Sequence, residues 1–433
     1  MGFWKSKKKR VVVIGLDGVP HSFLRQMMLM GELPHFQALL REGTLARMTS
    51  SIPCVSSVAW SSYMTGRNPG KHNIFGFVDR HPRTLEIYIP TSKNMGCKTL
   101  WEVLGEDGKR VLVINVPLTY PPRTVNGILI GCFLCMNIDK VAYPKEVSPF
   151  LKDRGYRIDV DAHQASEAPE AFLKDVHETL RKRVEIGLEL YRKEPWDFFQ
   201  LHIMETDRMN HFFWEGWEDE QSSHRDAFLR FYREIDQSLG VIRKTVDPQS
   251  EFIVLSDHGF CSVKKEVNLN YWLKEKGWLK FQGATAKELK EIDPQSRAYS
   301  LLPGRIYTPS GDQKLKEEIQ SSLLELRDPA SHQKMIGQVW SREEVYCGSY
   351  GKNGPDLVAV PERGYDLKGN FGASELVMET KMEGMHTEDD AFLYVWNHRL
   401  GGEGVRITDV YPTILSLMGI APDPEVDGVS LIS

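Results

Sequence analysis

Cysteine is scarce in this chain: Cys54, Cys97, Cys132, Cys135, Cys261 and Cys347 are the only six in 433 residues. That density excludes a disulfide framework. Cys132 and Cys135 have CxxC spacing, but there is no second such pair to complete a zinc knuckle, and they follow an apolar run instead of opening a helix. They read as buried free thiols. Long apolar runs are missing too. The longest, residues 127–136, falls well short of the roughly 18 residues a membrane span needs and reads as a buried strand with its exit. No apolar segment with a small-residue cleavage site follows the first basic residues, so no secretory leader is expected. Net charge is only −5, which excludes a strong general pull toward nucleic acid or anionic membrane. Together these absences lead to the expectation of a cytoplasmic protein with no specific nucleic-acid binding and no transmembrane segment.

What is present is the composition of an ordinary globular protein, 41% hydrophobic and 26% charged. The length suits one large α/β domain with an insertion, or two to three ordinary domains. Charge is uneven. Lys5, Lys7, Lys8, Lys9 and Arg10 make a basic tail of residues 1–10, read as solvated, with weak membrane-surface contact to anionic lipid as the sharper alternative. Met1-Gly2-Phe3-Trp4-Lys5-Ser6 also fits the short pattern for N-myristoylation.

Short β-branched runs alternate with longer amphipathic stretches, the rhythm of βαβ units around a mostly parallel sheet. Residues 11–16, 110–116, 197–203, 252–255 and 391–395 read as strands. Residues 170–193 repeat Leu173, Val176, Leu180, Val184, Leu188 and Tyr191 at helical spacing, and Phe228, Leu229, Tyr232, Ile235, Leu239 and Ile242 mark a second strong helix. Residues 22–42 read as a helical pair broken near Pro34, and 407–417 as a closing helix ended by Gly419. The rhythm changes over residues 261–384, where strand signals shorten and Lys and Glu cluster. That stretch reads as a cap inserted into a catalytic core formed by 11–260 and 385–433. The expected fold class is an α/β three-layer sandwich.

Chemistry concentrates just past the strands. Asp17 ends the first run; Asp207 and His211 stand four apart; Asp257 and His258 follow the run at 252–255; His386 lies in a polar loop. In open α/β sheets ligands bind beyond the carboxyl ends of the strands. Mixed carboxylates and imidazoles suit Zn, Mn or Fe, and two such ions roughly 4 Å apart clamp a phosphoryl group during displacement. The hydroxyl-rich segment 50–66 passes from loop to helix, and a Ser at a helix N-terminus gains from its positive end. Metal coordination is one way to activate such a hydroxyl. Composition does not choose between Ser56 and Ser57.

The order and spacing of Asp17, the Ser56 segment ending in Thr65-Gly66, Asp207 and His211, Ser256-Asp257-His258-Gly259 and His386 resemble the alkaline phosphatase superfamily. Residues 64–76 are similar to the segment after the nucleophile in its type I phosphodiesterase / nucleotide pyrophosphatase branch, and the C-terminal stretches 407–415 and 427–431 resemble the superfamily's closing helix and tail. The resemblance implies that Ser56 is the nucleophile. It implies that Asp17, Asp257 and His258, with Ser56, bind one divalent metal ion, and Asp207, His211 and His386 the other, Zn or Mn being the expected metals. The activity implied is hydrolysis of phosphodiester or pyrophosphate bonds in a small-molecule phosphate ester through a phosphoseryl intermediate. A phosphomonoesterase or a phosphoglycerate-mutase-like phosphotransferase is the alternative, and a non-catalytic metal-retaining binding protein is the rival of another class. No Arg or Lys lies within residues 50–66 to clamp the extra charge of a monoester, which tilts the expectation toward diesters. Lys264, Lys265 or Arg305 could supply such a charge from the cap. Phe212, Phe213, Trp214 and Trp217 are read as core, with stacking on a substrate as the sharper alternative.

Overall fold

The computed structural model describes residues 9–283, 286–401 and 404–432. The acylation pattern and most of the basic tail lie outside the described residues. Eight strands form one sheet, in the order Gly43–Met48, Ala391–Trp396, Glu251–Leu255, Val11–Leu16, Phe198–Ile203, Val111–Ile114, Gly127–Ile130 and Ala142–Tyr143. The five strands from Glu251–Leu255 to Gly127–Ile130 run parallel, and antiparallel pairings flank them on both sides. Every residue of Val11–Leu16 is buried. This is why the run is apolar without alternation: a parallel strand covered on both faces has no solvent side.

Side chains still alternate between the two faces. Val12, Ile14 and Leu16 pack into one core with the long helices Pro169–Lys193 and Arg225–Thr245. Val11 and Val13 pack into the other with Ser56–Thr65, Leu100–Glu106 and Val410–Met418. The result is a three-layer α/β sandwich. Helix boundaries follow local chemistry. Pro34 occupies the first turn of Pro34–Leu39, where its missing N–H costs nothing, and Gly419 ends the last helix at φ +75°.

Two element bounds needed correction. The strand expected over 110–116 is only Val111–Ile114, because Asn115 turns left-handed at φ +66° and ends the ladder. The final helix begins at Val410, after a tight 3₁₀ turn over Ile407–Asp409 that an apolar pattern alone does not distinguish from α-helix.

Gly259–Ser262 pairs antiparallel with Gly384–Thr387, so the chain leaves the sandwich and returns along neighbouring strands. Between them lie a four-stranded sheet, a three-stranded sheet and a separate apolar core that includes Leu273, Leu289, Ile306, Leu315 and Ile336. Phe213 and Trp214 are buried in the main core, with Phe212 and Trp217 packed against it. All six cysteines are free thiols. Among the described residues no helix is long and apolar enough to cross a membrane.

Candidate active site

Three adjacent parallel strands deliver three carboxylates to one edge. Asp17 follows Val11–Leu16, Asp257 follows Glu251–Leu255, and Asp207 lies in the first turn of Glu205–Phe213, which follows Phe198–Ile203. Asp17 and Asp257 are fully buried and Asp207 nearly so. His211 joins Asp207 one helical turn on, as the i,i+4 spacing requires. His386, expected in a polar loop, instead lies within the returning strand Gly384–Thr387, because that segment pairs with Gly259–Ser262 and sets His386 against Phe260.

The six residues gather into two groups, Asp17–Asp257–His258 and Asp207–His211–His386. In each group one ligand atom per residue lies within 4.8 Å of the others. His258 Nε2 is 3.4 Å from both Asp17 Oδ1 and Asp257 Oδ2. His386 Nε2 is 3.2 Å from Asp207 Oδ1, and His211 Nε2 is 3.4 Å from the same oxygen. The groups adjoin, with the His258 and His386 rings stacked at 3.7 Å between centroids.

The imidazoles are oriented for ligation. Nδ1 of His211 faces the Gly384 carbonyl at 3.0 Å, Nδ1 of His386 that of Cys54 at 3.0 Å, and Nδ1 of His258 that of Gly259 at 3.1 Å. A proton donated there leaves each Nε2 as a bare lone pair. The Nε2 atoms of His211 and His386 meet at 2.9 Å, so one space receives two lone pairs and requires a shared cation or a proton. Asp257 Oδ2 is buried and accepts no hydrogen bond among the described residues, a costly position for a carboxylate oxygen without a cation. On this chemistry the donor set fits two divalent ions.

The electrostatics are divided. Burial, reinforced by the charge of Asp17, pushes the Asp257 carboxyl well above its ordinary range, against the Gly18 N–H that donates to it. Burial also opposes ionisation of Asp17 and Asp207. It is outweighed at Asp17 by the His202 and His258 rings, and at Asp207 by His211 and His386, so both sit below the ordinary range.

Ser56 is the first residue of Ser56–Thr65 and is 2% exposed. Its Oγ donates to Asp17 Oδ1 at 3.1 Å and lies 3.2 Å from His258 Nε2. The Ser57 hydroxyl is buried without a partner among the described residues. The two hydroxyls that composition left equivalent thus have different surroundings, with Ser56 beside the first ligand group.

Other functional side chains escaped the sequence reading. Trp60 Nε1 donates to Asp17 Oδ2 at 2.9 Å, and the buried His202 lies 3.1 Å from the same oxygen and edge-on to the Trp60 ring. Thr206 Oγ1 donates to the Asp17 carbonyl at 2.6 Å. Asn210 Nδ2 donates to the Gly18 carbonyl and is held by Tyr232. The available signal was spacing, since Trp60 stands four residues after Ser56 and so shares its helix face. Gly18 has a definite reason to be glycine: φ is +66°, and a Cβ would sit 2.7 Å from the Phe260 ring. Removing the indole N–H takes one donor from Asp17 Oδ2 and leaves its orientation to Ser56 and His202. Trp60→Phe is therefore expected to weaken metal affinity or activity about 10- to 100-fold with the fold intact, measured by metal titration and circular dichroism.

Of the cations that the insertion could have supplied, Arg305 directs its guanidinium to the carbonyls of Val78 and Leu302. Lys265 pairs with Asp328 at 2.9 Å, and the Lys264 stem packs against Gly364. Arg208 lies 3.3 Å from Asp207, but its other nitrogen is engaged by Asp159 at 2.7 Å.

A mostly parallel sandwich with acidic and imidazole groups beyond its central strands is the architecture of the alkaline phosphatase superfamily. The chain belongs to the type I phosphodiesterase / nucleotide pyrophosphatase family, whose model matches residues 11–389. Among solved structures it is similar to a phosphonoacetate hydrolase from Sinorhizobium meliloti 1021, with a TM-score of 0.65 and 16% identity over 95% of this chain and 96% of that one. Murine ectonucleotide pyrophosphatase / phosphodiesterase 5 gives 0.60 at 16% identity over 96% of each chain. The human protein of that name gives 0.61 at 16% over 97% of each. At such identity the likeness carries the fold alone. Among curated proteins, none matches the chain in sequence.

Proposed function

We propose that the chain is a two-metal phosphohydrolase that opens phosphodiester or pyrophosphate bonds of small molecules with Ser56 as nucleophile. The observation that carries this reading is the convergence of the Ser56 hydroxyl with Asp17 and His258, beside the second group Asp207, His211 and His386. Asp17, Asp257 and His258, with Ser56, would hold one ion; Asp207, His211 and His386 would hold the other. The mixed oxygen and nitrogen donors favour Zn or Mn. Ions bound there supply Lewis-acid stabilisation of the oxygens around phosphorus and lower the pKa of the serine hydroxyl.

The residues of the chain do the rest. Ser56 Oγ gives up its proton to solvent water and forms a bond to phosphorus as the bond to the leaving oxygen breaks, and that oxygen departs as an alcohol after taking up a proton from water. A water molecule then attacks phosphorus, the Oγ–P bond breaks, the serine hydroxyl is restored and the remaining phosphate ester is released. The positive end of the Ser56–Thr65 helix favours the charge that gathers at this point. Trp60 holds Asp17 in its orientation. Residues 261–384 act as a cap that frames the site, a reading supported by the cavity beside His211 and His386 that this stretch helps to line. Diesters are favoured over monoesters because Arg305 and Lys265 are engaged elsewhere and Arg208 is shared with Asp159.

Turnover of bis-p-nitrophenyl phosphate against p-nitrophenyl phosphate by the Zn- or Mn-loaded chain tests the reading. Metal-dependent release of p-nitrophenol, faster from the diester, is expected. A monoester preference of roughly a hundredfold or more in kcat/KM reverses the diester assignment. Absence of turnover with both substrates, despite bound metal, supports a binding protein instead. Metal loading should also raise Tm, because ions that bind only the folded site stabilise it by mass action. An unchanged Tm at saturating metal contradicts binding at this site.

A further inference from the structure

A cavity of about 280 Å³ opens beside the imidazoles of His211 and His386, at the small end of the range for ligand pockets. Ile52 and Val55 line it from the nucleophile segment, Phe77 from the loop beyond, Leu302 from the turn between Tyr299–Leu301 and Arg305–Tyr307, and Val358 and Leu367 from the inserted sheets. No Asn, Gln, Ser, Thr, Tyr or Arg is among the described residues that line it. Among the described lining residues the one Lys or Arg is Lys368, which already pairs with Asp366 at 2.5 Å and lies 3.6 Å from Glu266.

Apart from the carboxylates of Asp366, paired with Lys368, and of Glu388, such a wall offers few side-chain partners to a ligand's polar edge. Both carboxylates only accept, so a nucleobase entering it would leave its ring nitrogens and carbonyl oxygens without donors, and each unmade buried hydrogen bond lowers affinity. A hydrocarbon loses only its contact with water. Because His211 and His386 belong to both the cavity wall and the second ligand group, a substituent on phosphorus can reach the cavity without leaving the site.

We infer that the substrate is a phosphodiester with one hydrocarbon ester group, which fills this cavity while phosphorus sits at Ser56. The inference rests on the phosphohydrolase reading above. Specificity then comes from burial of the apolar group, and the cap selects for it by supplying Leu302, Val358 and Leu367.

The test is a series of p-nitrophenyl phosphodiesters that differ only in the second ester group: methyl, butyl, octyl, phenyl and thymidine. With Zn- or Mn-loaded protein, kcat/KM should rise about fourfold for each added methylene until the cavity is full. The octyl or phenyl ester should outrun both methyl and thymidine. Leu302→Trp adds bulk at a residue 41% exposed, where the fold can absorb it, and should lower the octyl-to-methyl ratio. Thymidine or methyl esters that match or exceed the octyl and phenyl esters overturn this inference and leave the phosphohydrolase reading standing. An unchanged octyl-to-methyl ratio in Leu302→Trp overturns the assignment to this cavity. No hydrolysis of any member of the series sinks both readings.

Discussion

Ser56→Ala should lower turnover at least about a thousandfold while leaving the fold and most metal binding intact. In the proposed mechanism the change removes the attacking oxygen, but the three carboxylates and three imidazoles come from other elements and keep their positions. The Ser56 Oγ, at 3.1 Å from Asp17 Oδ1 and 3.2 Å from His258 Nε2, is on this proposal replaceable as a ligand but not as a nucleophile. Ser57→Ala should change turnover less than about tenfold, since that hydroxyl is buried without a partner and its loss leaves no group unpaired. Steady-state kinetics and elemental analysis on both variants check this. Reversed effects would mean that the neighbouring hydroxyl attacks, and equal mild effects would remove serine from the chemistry.

Much of this site could be read from the sequence for a physical reason. A parallel strand buried on both faces must be continuously apolar, so Asp17 stands out where Val11–Leu16 ends, as Asp257 does after Glu251–Leu255. The i,i+4 spacing of Asp207 and His211 also survives in sequence, because one helical turn brings the two together. The supporting shell left weaker traces. His202 reads as one more residue of a buried strand, and Trp60 as helix core, until the sheet brings both against Asp17. The cavity was invisible for the same reason: its wall is drawn from residues 52 to 388, which meet only after the insertion folds. Strand ends show locally where ligands collect. What surrounds those ligands depends on contacts between distant segments.

The largest stability effect is expected at a buried ion pair that the sequence did not announce. Arg183 sits on Pro169–Lys193 beside Val184, and both it and Glu205 are fully buried. The pair is closely matched. Arg183 Nε lies 2.9 and 3.2 Å from the two Glu205 oxygens, and Nη2 lies 2.8 Å from Oε1. Nη1 donates to the Tyr156 hydroxyl at 2.8 Å, and Nη2 to the Ile158 carbonyl at 3.1 Å. Removing one partner strands the other charge in the interior. Arg183→Met is therefore expected to cost about 3–5 kcal/mol, read from urea denaturation at constant m. Because an apolar pair of similar volume can replace a buried ion pair at little cost, Arg183→Met/Glu205→Leu should recover much of the loss. Glu205 opens the helix that carries Asp207 and His211, so the single variant should also weaken metal binding at that group. A loss below about 1 kcal/mol, or a double variant less stable than the single one, contradicts this account.

The account stands most directly on the number of metal ions held by the site. Elemental analysis of the reconstituted chain, alongside Asp257→Asn and Asp207→Asn, should return about two ions per wild-type chain and about one in each variant, as the proposed assignment of one ion to each of two adjoining three-residue groups requires. A reconstituted wild-type chain with no bound metal, or two variants that keep the full complement, would contradict it.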